Sequence, residues 1–198
     1  MKKEKEEANK ETRLLSKAFE LFTEKGVKNT SIQEIVDNAN VAKGTFYLYF
    51  KDKYEIRDVL IAKKSHKLFN DALHELRKND IKTLSERVIF IVNYVVDELT
   101  KAPTLLKFIS KNLSWGVYSK TVLKIYENTE KKEEGLYHLF LKEVKENNIK
   151  LKNPEVTLFM IIELVSSTCF NSILYDEPLP IEEYKPYLYD TIKKLIDG

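Results

Sequence analysis

The sequence predicts an all-α protein of about nine helices, and three observations indicate this fold class. The 198 residues include 5 glycines and 5 prolines, and both residue types disfavour helix interiors. Apolar residues recur at intervals of three and four, which is the spacing of a helix that buries one face. We found no clear alternation of apolar and polar residues, which is typical of a half-buried strand.

The first helix has an apolar face and a defined end. Leu15, Ala18, Phe19 and Phe22 share one side of the helix, as expected for a helix that packs against others. Gly26 is expected to end it, because glycine adopts the left-handed backbone found after many helix C-termini.

The second helix is predicted by a capping box in the segment TSIQE. Ser31 would be the N-cap residue and Glu34 its partner three residues later. Residues 38–40 are expected to form a turn, in which Asn40 tolerates a left-handed backbone. A short third helix lies within VAKGTFYLYFKDK, residues 41–53. Ala42 precedes it and offers no side-chain oxygen to cap it.

The remaining helices are predicted from capping residues, glycine and proline. The fourth helix runs from Asp52 to Leu76 and is opened by a second capping box, Asp52 with Glu55. The others are Thr83 to Thr100, Leu105 to Leu113, and Ser119 to Glu146 with an interruption at Gly135. The last two are a helix opened by Asn153 and Pro154 that carries the apolar run 156–175, and one within Ile181 to Ile196 with Pro186 in or before its first turn.

The third helix has two different sides at about 100° per residue. Phe46 and Phe50 share the side that we expect to dock on the first two helices. The outward side combines small, hydroxyl, aromatic and basic residues, which are Gly44, Leu48 and Lys51, flanked by Thr45 and Tyr47. Glycine permits close backbone approach, and hydroxyl groups can bond phosphates or base edges. Two short helices joined by a tight turn therefore predict a helix-turn-helix.

Residues 12–60 resemble the TetR family of one-component transcriptional regulators. The resemblance is carried by Phe19, Phe22, Gly26, Thr30, Ser31, Ile32, Ile35, Val41, Lys43, Gly44, Thr45, Phe46, Tyr47, Tyr49, Phe50, Lys53 and Leu60. Asn40 and Ala42 depart from the family pattern, in which glycine and a capping serine or threonine are usual. The rest of the chain is similar to the family in length and helix number.

The resemblance implies specific DNA contacts. The recognition helix would contribute Lys43, Gly44, Thr45, Tyr47 and Tyr49, and phosphate contacts would come from Thr30, Ser31 and Lys53. A packing role beneath the fourth helix is the alternative for Tyr47 and Tyr49, and the helical projection places Tyr49 nearer the anchored side. The expected organisation is a DNA-binding domain at residues 1–53 and an effector-binding and dimerisation domain at residues 54–198.

The last two helices are the predicted dimer interface. A two-fold pair of heads reaches DNA half-sites about 34–36 Å apart or a multiple of that spacing. The helix of residues 156–175 is apolar almost all round, more than one monomer core requires. The resemblance likewise implies that 156–175 and 181–196 form a four-helix bundle across a homodimer. A monomer with a thick core is the alternative.

Aromatic residues in the second domain indicate an apolar cavity with a few polar groups. The candidate lining residues are Tyr94, Phe108, Trp115, Tyr118, Phe159, Glu163, Phe170 and Asn171. Ordinary core packing is the alternative for each aromatic residue. Glu163 stands within an apolar run, where a carboxylate needs a partner such as a cationic ligand, a lysine or an exposed edge.

Composition excludes several other classes of protein. The net charge of +2 gives no global signal for nucleic acid. The single cysteine, Cys169, precludes an internal disulfide and a cysteine-based zinc site, and fits a cytoplasmic location. We expect no membrane span, because Glu163 interrupts the apolar run. We expect no metal site, because His66 and His74 are too far apart for an i, i+4 pair and His138 has no adjacent ligands. No catalytic motif is present, so an enzyme is not expected.

These observations predict a ligand-responsive regulator that binds double-stranded operator DNA. A repressor released by an unidentified small-molecule effector is the favoured form, with no other cofactor. The alternative is a helical protein whose helix-turn-helix head binds a protein partner, and a helical-bundle enzyme is the least favoured hypothesis.

Overall fold

The computed structural model describes residues 2–110, 113, 117 and 135–198, and every regular element in this part of the chain is an α-helix. The described helices are α1 (Lys2–Lys25), α2 (Ile32–Ala39), α3 (Lys43–Tyr49), α4 (Lys53–Leu76), α5 (Leu84–Lys101), α6 (Pro103–Ile109), α7 (Leu136–Glu146), α8 (Pro154–Tyr175) and α9 (Ile181–Asp197). The predicted all-α fold is therefore confirmed.

The chain divides into two compact units, Met1–Ile61 and Ala62–Gly198. Helix α4 contributes residues to both units. The boundary predicted between residues 53 and 54 lies earlier in the chain, where α4 begins.

The first unit is a small helical domain in which α2 packs on α1 and α3 packs on α2. Leu14 and Ala18 of α1 and Ile35 of α2 are completely buried in this unit. Gly26 has a φ of +83° directly after α1, which confirms the predicted helix end.

The second unit is built around the apolar helix α8. This helix packs against α5, α6, α7 and α9, and its buried residues include Leu158, Ile161 and Val165. Among the described helices, α8 alone is long and apolar enough to cross a membrane by length and composition. Its packing against four neighbours is that of a core helix in a globular unit.

A buried lysine connects α5 to α9. Lys185 is 7% exposed, and its ammonium bonds Asp97 at 2.5 Å and Glu182 at 2.7 Å. Burial lowers the pKa of Lys185, but these two hydrogen bonds outweigh it, so the pKa is raised. The paired ammonium is therefore charged at neutral pH, as a buried cation requires.

Four local expectations are refined by the structure. Gly135 is the N-cap of α7 with an extended backbone rather than an interruption inside one long helix; the predicted residues 119–134 lie outside the described residues. Helix α6 starts at Pro103, earlier than the predicted Leu105, because proline is favoured in the first helical turn.

Pro186 lies inside α9, at its sixth residue and beyond the first turn. Asp52 caps α4 as expected, but Glu55 bonds the backbone N–H of Lys51, not that of Asp52.

Candidate nucleic-acid interface and ligand cavities

The turn between α2 and α3 is fixed by local hydrogen bonds. Ser31 caps α2 and forms the predicted capping box with Glu34: the Ser31 Oγ accepts from the Glu34 N–H at 3.2 Å, and the Ser31 N–H donates to the Glu34 carboxylate at 2.8 Å. Hydrogen bonds from Lys25 and Ser31 lower the pKa of Glu34 to about 2. At the other end, Asn40 has a φ of 52° in the left-handed region, as predicted.

Helix α3 is short and lacks a side-chain cap. Ala42 occupies the N-cap position without a capping hydrogen bond, so the seven residues of α3 depend on tertiary packing. Phe46 is completely buried and Phe50 is 4% exposed. The centroids of these two rings lie 5.7 Å apart. The two phenylalanines therefore anchor α3, as predicted.

The other side of α3 faces solvent. Gly44 is exposed, and a Cβ atom placed on it would meet nothing within 4 Å. Tyr47 is 52% exposed, Lys43 is exposed and Thr45 is half-buried. The predicted exposure of Gly44 and Tyr47 is confirmed. Tyr49 is half-buried with its ring 6.3 Å from that of Phe50, which fits its position near the anchored side.

Two further exposed residues of the first unit, Leu48 and Tyr54, are not in the set of DNA contacts predicted from sequence. Leu48 is 80% exposed on α3, and an apolar side chain there can contact a thymine methyl group. Tyr54 is 45% exposed, with the Arg57 guanidinium 5.4 Å from its ring centroid. The helical projection of the sequence already places Leu48 on the outward side of α3. The stacking of Arg57 on Tyr54 is visible only in the tertiary structure.

Thr30 and Lys53 have structural partners that the sequence does not reveal. Thr30 is 1% exposed, and its hydroxyl donates to the Gly26 carbonyl at 2.9 Å. The buried hydroxyl is unavailable to a phosphate, so this placement does not support the predicted contact of Thr30. The Lys53 ammonium donates to the carbonyls of Lys28 at 2.8 Å and Thr30 at 2.9 Å. Lys53 therefore ties the start of α4 to the connection between α1 and α2. Ser31, by contrast, remains exposed at the N-terminus of α2.

We expect Lys53→Met to destabilise the first unit by about 1–2 kcal/mol, because two charge-assisted hydrogen bonds are lost at a partly exposed site. Denaturant unfolding measures this change, and the salt dependence of DNA binding tests the alternative. A lysine that acts on a phosphate alone would leave stability unchanged and make the slope of log K against log salt shallower by about 1. That pair of results would contradict the structural role.

Two sizeable cavities lie in the second unit. One has a volume of about 450 Å³ and is lined by Ser110, Glu163, Ser166, Ser167, Phe170 and Asn171. The Ser110 hydroxyl is buried and has no hydrogen-bond partner among the described residues. The other has a volume of about 290 Å³ and lies between the end of α4, the start of α5 and α7.

Some of the predicted pocket residues line a cavity in the structure, and others lie elsewhere. Glu163, Phe170 and Asn171 line the first cavity together. Phe159 is 46% exposed on the outside of α8, and Tyr94 and Phe108 are half-buried away from both described cavity walls. Trp115 and Tyr118 lie outside the described residues. Within the described part of the chain, no cluster of three metal-ligating side chains occurs.

Comparison with known proteins supports the geometry of the first unit. Residues 14–60 match the family model described as bacterial regulatory proteins, tetR family. The HTH-type transcriptional regulator YhgD of Bacillus subtilis (strain 168) is 25% identical over 179 residues, which covers 85% of this chain and 87% of the relative.

Two solved structures share the fold over nearly the whole chain. A protein from Syntrophomonas wolfei assigned to the TetR-family transcriptional regulators superposes with a TM-score of 0.67 at 22% identity, covering 96% of this chain and 95% of the other. The regulator FadR from Bacillus subtilis, in complex with stearoyl-CoA, has a TM-score of 0.62 at 18% identity and covers 94% and 98%. With its anchored third helix and the family match at residues 14–60, the chain carries the N-terminal helix-turn-helix of the tetR family of bacterial regulatory proteins, and it shares its helical fold with solved TetR-family regulators.

Proposed function

We propose that the chain is a homodimeric repressor that binds double-stranded operator DNA through α3 and is released by a small-molecule effector. The main observation that supports DNA binding is the orientation of α3. Its buried Phe46 fixes the helix, while Gly44, Tyr47 and Leu48 stand exposed on the opposite side. A recognition helix needs this arrangement to enter a major groove.

Selection of bound sites from random DNA, followed by fluorescence polarisation, tests DNA recognition. We expect a specific site whose log K falls steeply with log salt. Binding of a protein through this head is the competing hypothesis, favoured by the exposed Leu48 and by the near-neutral net charge. Failure to enrich any site would support that alternative and contradict the regulator.

Tyr47→Ala is expected to weaken operator binding by about 1–3 kcal/mol, because an exposed side chain at a base edge or phosphate is lost. The stability of the protein should change little, since Tyr47 is 52% exposed. Tyr47→Phe is the matched control that retains the ring and removes the hydroxyl. Unchanged affinity in Tyr47→Ala would assign Tyr47 to packing beneath α4.

The proposed dimer interface is the outer face of α8 together with α9. Val156, Phe159 and Met160 are 46–49% exposed on one side of α8, and Tyr187 of α9 is 66% exposed. Helices α8 and α9 pack against each other, so their exposed apolar residues supply a surface for a four-helix bundle with a second copy.

The effector is proposed to bind in the second unit and to act through α4. This helix contributes residues to both units, so a ligand that favours one orientation of α4 would change the separation of the two recognition helices. Effector and operator would then weaken each other's binding by the same factor. The similar FadR structure with stearoyl-CoA supports an effector that contains an acyl chain. Equal operator affinity with and without saturating effector would contradict this coupling. The protein would act in the cytoplasm and catalyse no reaction.

A further inference from the structure

The 290 Å³ cavity of the second unit is lined by both polar and apolar groups. Leu73, Leu84 and Phe140 contribute to apolar walls supplied by α4, α5 and α7. Arg77, Asn79, Arg87 and Glu143 are the polar lining residues. The cavity is therefore amphipathic, which suits a ligand with one polar end.

The charges of this lining do not cancel. The positive charge of Arg87 is already paired within the protein, because its guanidinium donates to the Glu143 carboxylate at 2.6 Å and to the Ile81 carbonyl at 2.9 Å. Arg77 is exposed, and within the described residues its guanidinium forms no hydrogen bond or ion pair. Among the described residues, the Arg77 guanidinium therefore lines the cavity with its donors unused, and guanidinium groups favour carboxylates.

A second cavity continues the apolar part. It measures about 30 Å³, and its described lining consists entirely of apolar side chains. Val88, Ile91 and Leu136 line both cavities. The two spaces therefore share wall residues, and the described lining of the smaller one offers a ligand no hydrogen-bond partner, as expected for a hydrocarbon tail.

We propose that this cavity binds a medium-chain fatty acid, with its carboxylate at Arg77 and its tail against Val88, Ile91 and Leu136. At about 30 Å³ for each atom of the size of a water molecule, a volume of 290 Å³ holds roughly ten heavy atoms. Two of these atoms would be the carboxylate oxygens and the adjoining 30 Å³ space holds about one more atom, so the volume corresponds to a chain of about 8–10 carbons. The inference rests on the proposed function, in which this ligand is the effector. The Glu163 cavity is less suitable because it places a carboxylate beside the ligand and borders the α8 face proposed for the dimer.

Calorimetric titration of the full-length protein with decanoate below its micellar concentration tests the site without DNA. We expect saturable binding of decanoate and weaker binding of hexanoate, tetradecanoate and decylamine. Arg77→Gln should weaken decanoate binding about tenfold or more, because a charge-assisted contact is lost. It should leave binding of decan-1-ol unchanged.

Lys78→Gln is the matched control, since Lys78 is an adjacent exposed cation that pairs with Glu75 and does not line the cavity. Equal loss in both variants, equal affinity for decylamine, or no binding by the unmodified protein would overturn the proposal. Ile91→Trp adds a second test by filling the apolar part, and circular dichroism establishes whether that variant folds.

Operator binding separates this inference from the proposed function. Release of operator DNA by decanoate, reduced in Arg77→Gln, would support both. Specific operator binding in a protein that does not bind decanoate would overturn the fatty-acid site and leave DNA recognition intact. Saturable decanoate binding without any loss of operator affinity would overturn its role as effector.

Discussion

Phe46→Ala is expected to destabilise the first unit by about 3–5 kcal/mol, the cost of replacing a fully buried phenylalanine with alanine. Phe46 is completely buried, and its ring contacts those of Tyr47 and Phe50 at centroid distances of 5.5 and 5.7 Å. Helix α3 has seven residues and no side-chain cap, so little other than this packing holds it in place. Operator binding should be lost as well, although a buried phenylalanine cannot touch DNA.

Hydrogen–deuterium exchange measures the effect separately in each unit. Peptides from residues 14–60 should lose protection in Phe46→Ala, while peptides from residues 135–198 keep it. Tyr47→Ala is the control on the same helix and should retain protection. Normal protection of residues 43–50 in Phe46→Ala would show that α3 does not depend on this anchor.

Met160→Asp is expected to disrupt the proposed dimer. Met160 is 49% exposed on the outer face of α8, and a two-fold interface contains the substitution twice. Burial of the exposed half of this side chain is worth about 0.7–1.5 kcal/mol per copy, so its loss would weaken the dimer by about 1.5–3 kcal/mol, and an unpaired carboxylate at the interface adds to this cost. A monomer carries one recognition helix, so operator affinity should fall with the dimer.

Light scattering after size-exclusion chromatography measures the oligomeric state. Met160→Leu is the matched control, because leucine retains the apolar contact at similar volume. A monomeric unmodified protein, or a Met160→Asp variant that stays dimeric, would rule out this interface.

Local signals in the sequence determined the helix boundaries near the candidate site. The capping residues Ser31 and Asp52, the stop at Gly26 and the turn at Asn40 all occupy the predicted positions. Each acts through its own backbone or through residues within a few positions in the chain. Such interactions can be read from neighbouring letters of the sequence.

Hydrogen-bond partners that are distant in the chain could not be predicted from the sequence. The pattern does not show that Lys53 bonds carbonyls more than twenty positions earlier, or that the Thr30 hydroxyl is buried. Gly135 and Pro186 are also ambiguous in the sequence, because each residue type is compatible with more than one position relative to a helix. Glycine can interrupt a helix or cap one, and proline can begin a helix or lie within it, depending on the surrounding structure.

By itself, the sequence determined an all-helical chain with a helix-turn-helix whose Phe46 faces inward and whose Gly44 and Tyr47 face outward. Periodicity and capping are local, and they fix both the helices and their sides. Tertiary structure decided which charged side chains form hydrogen bonds or ion pairs within the protein and which remain able to bind a ligand. Lys53 is bound to carbonyls, Arg87 is paired with Glu143, and Arg77 stands unpaired at a cavity within the described residues. Partners distant in sequence meet only when the helices pack, so no pattern of neighbouring residues can specify them.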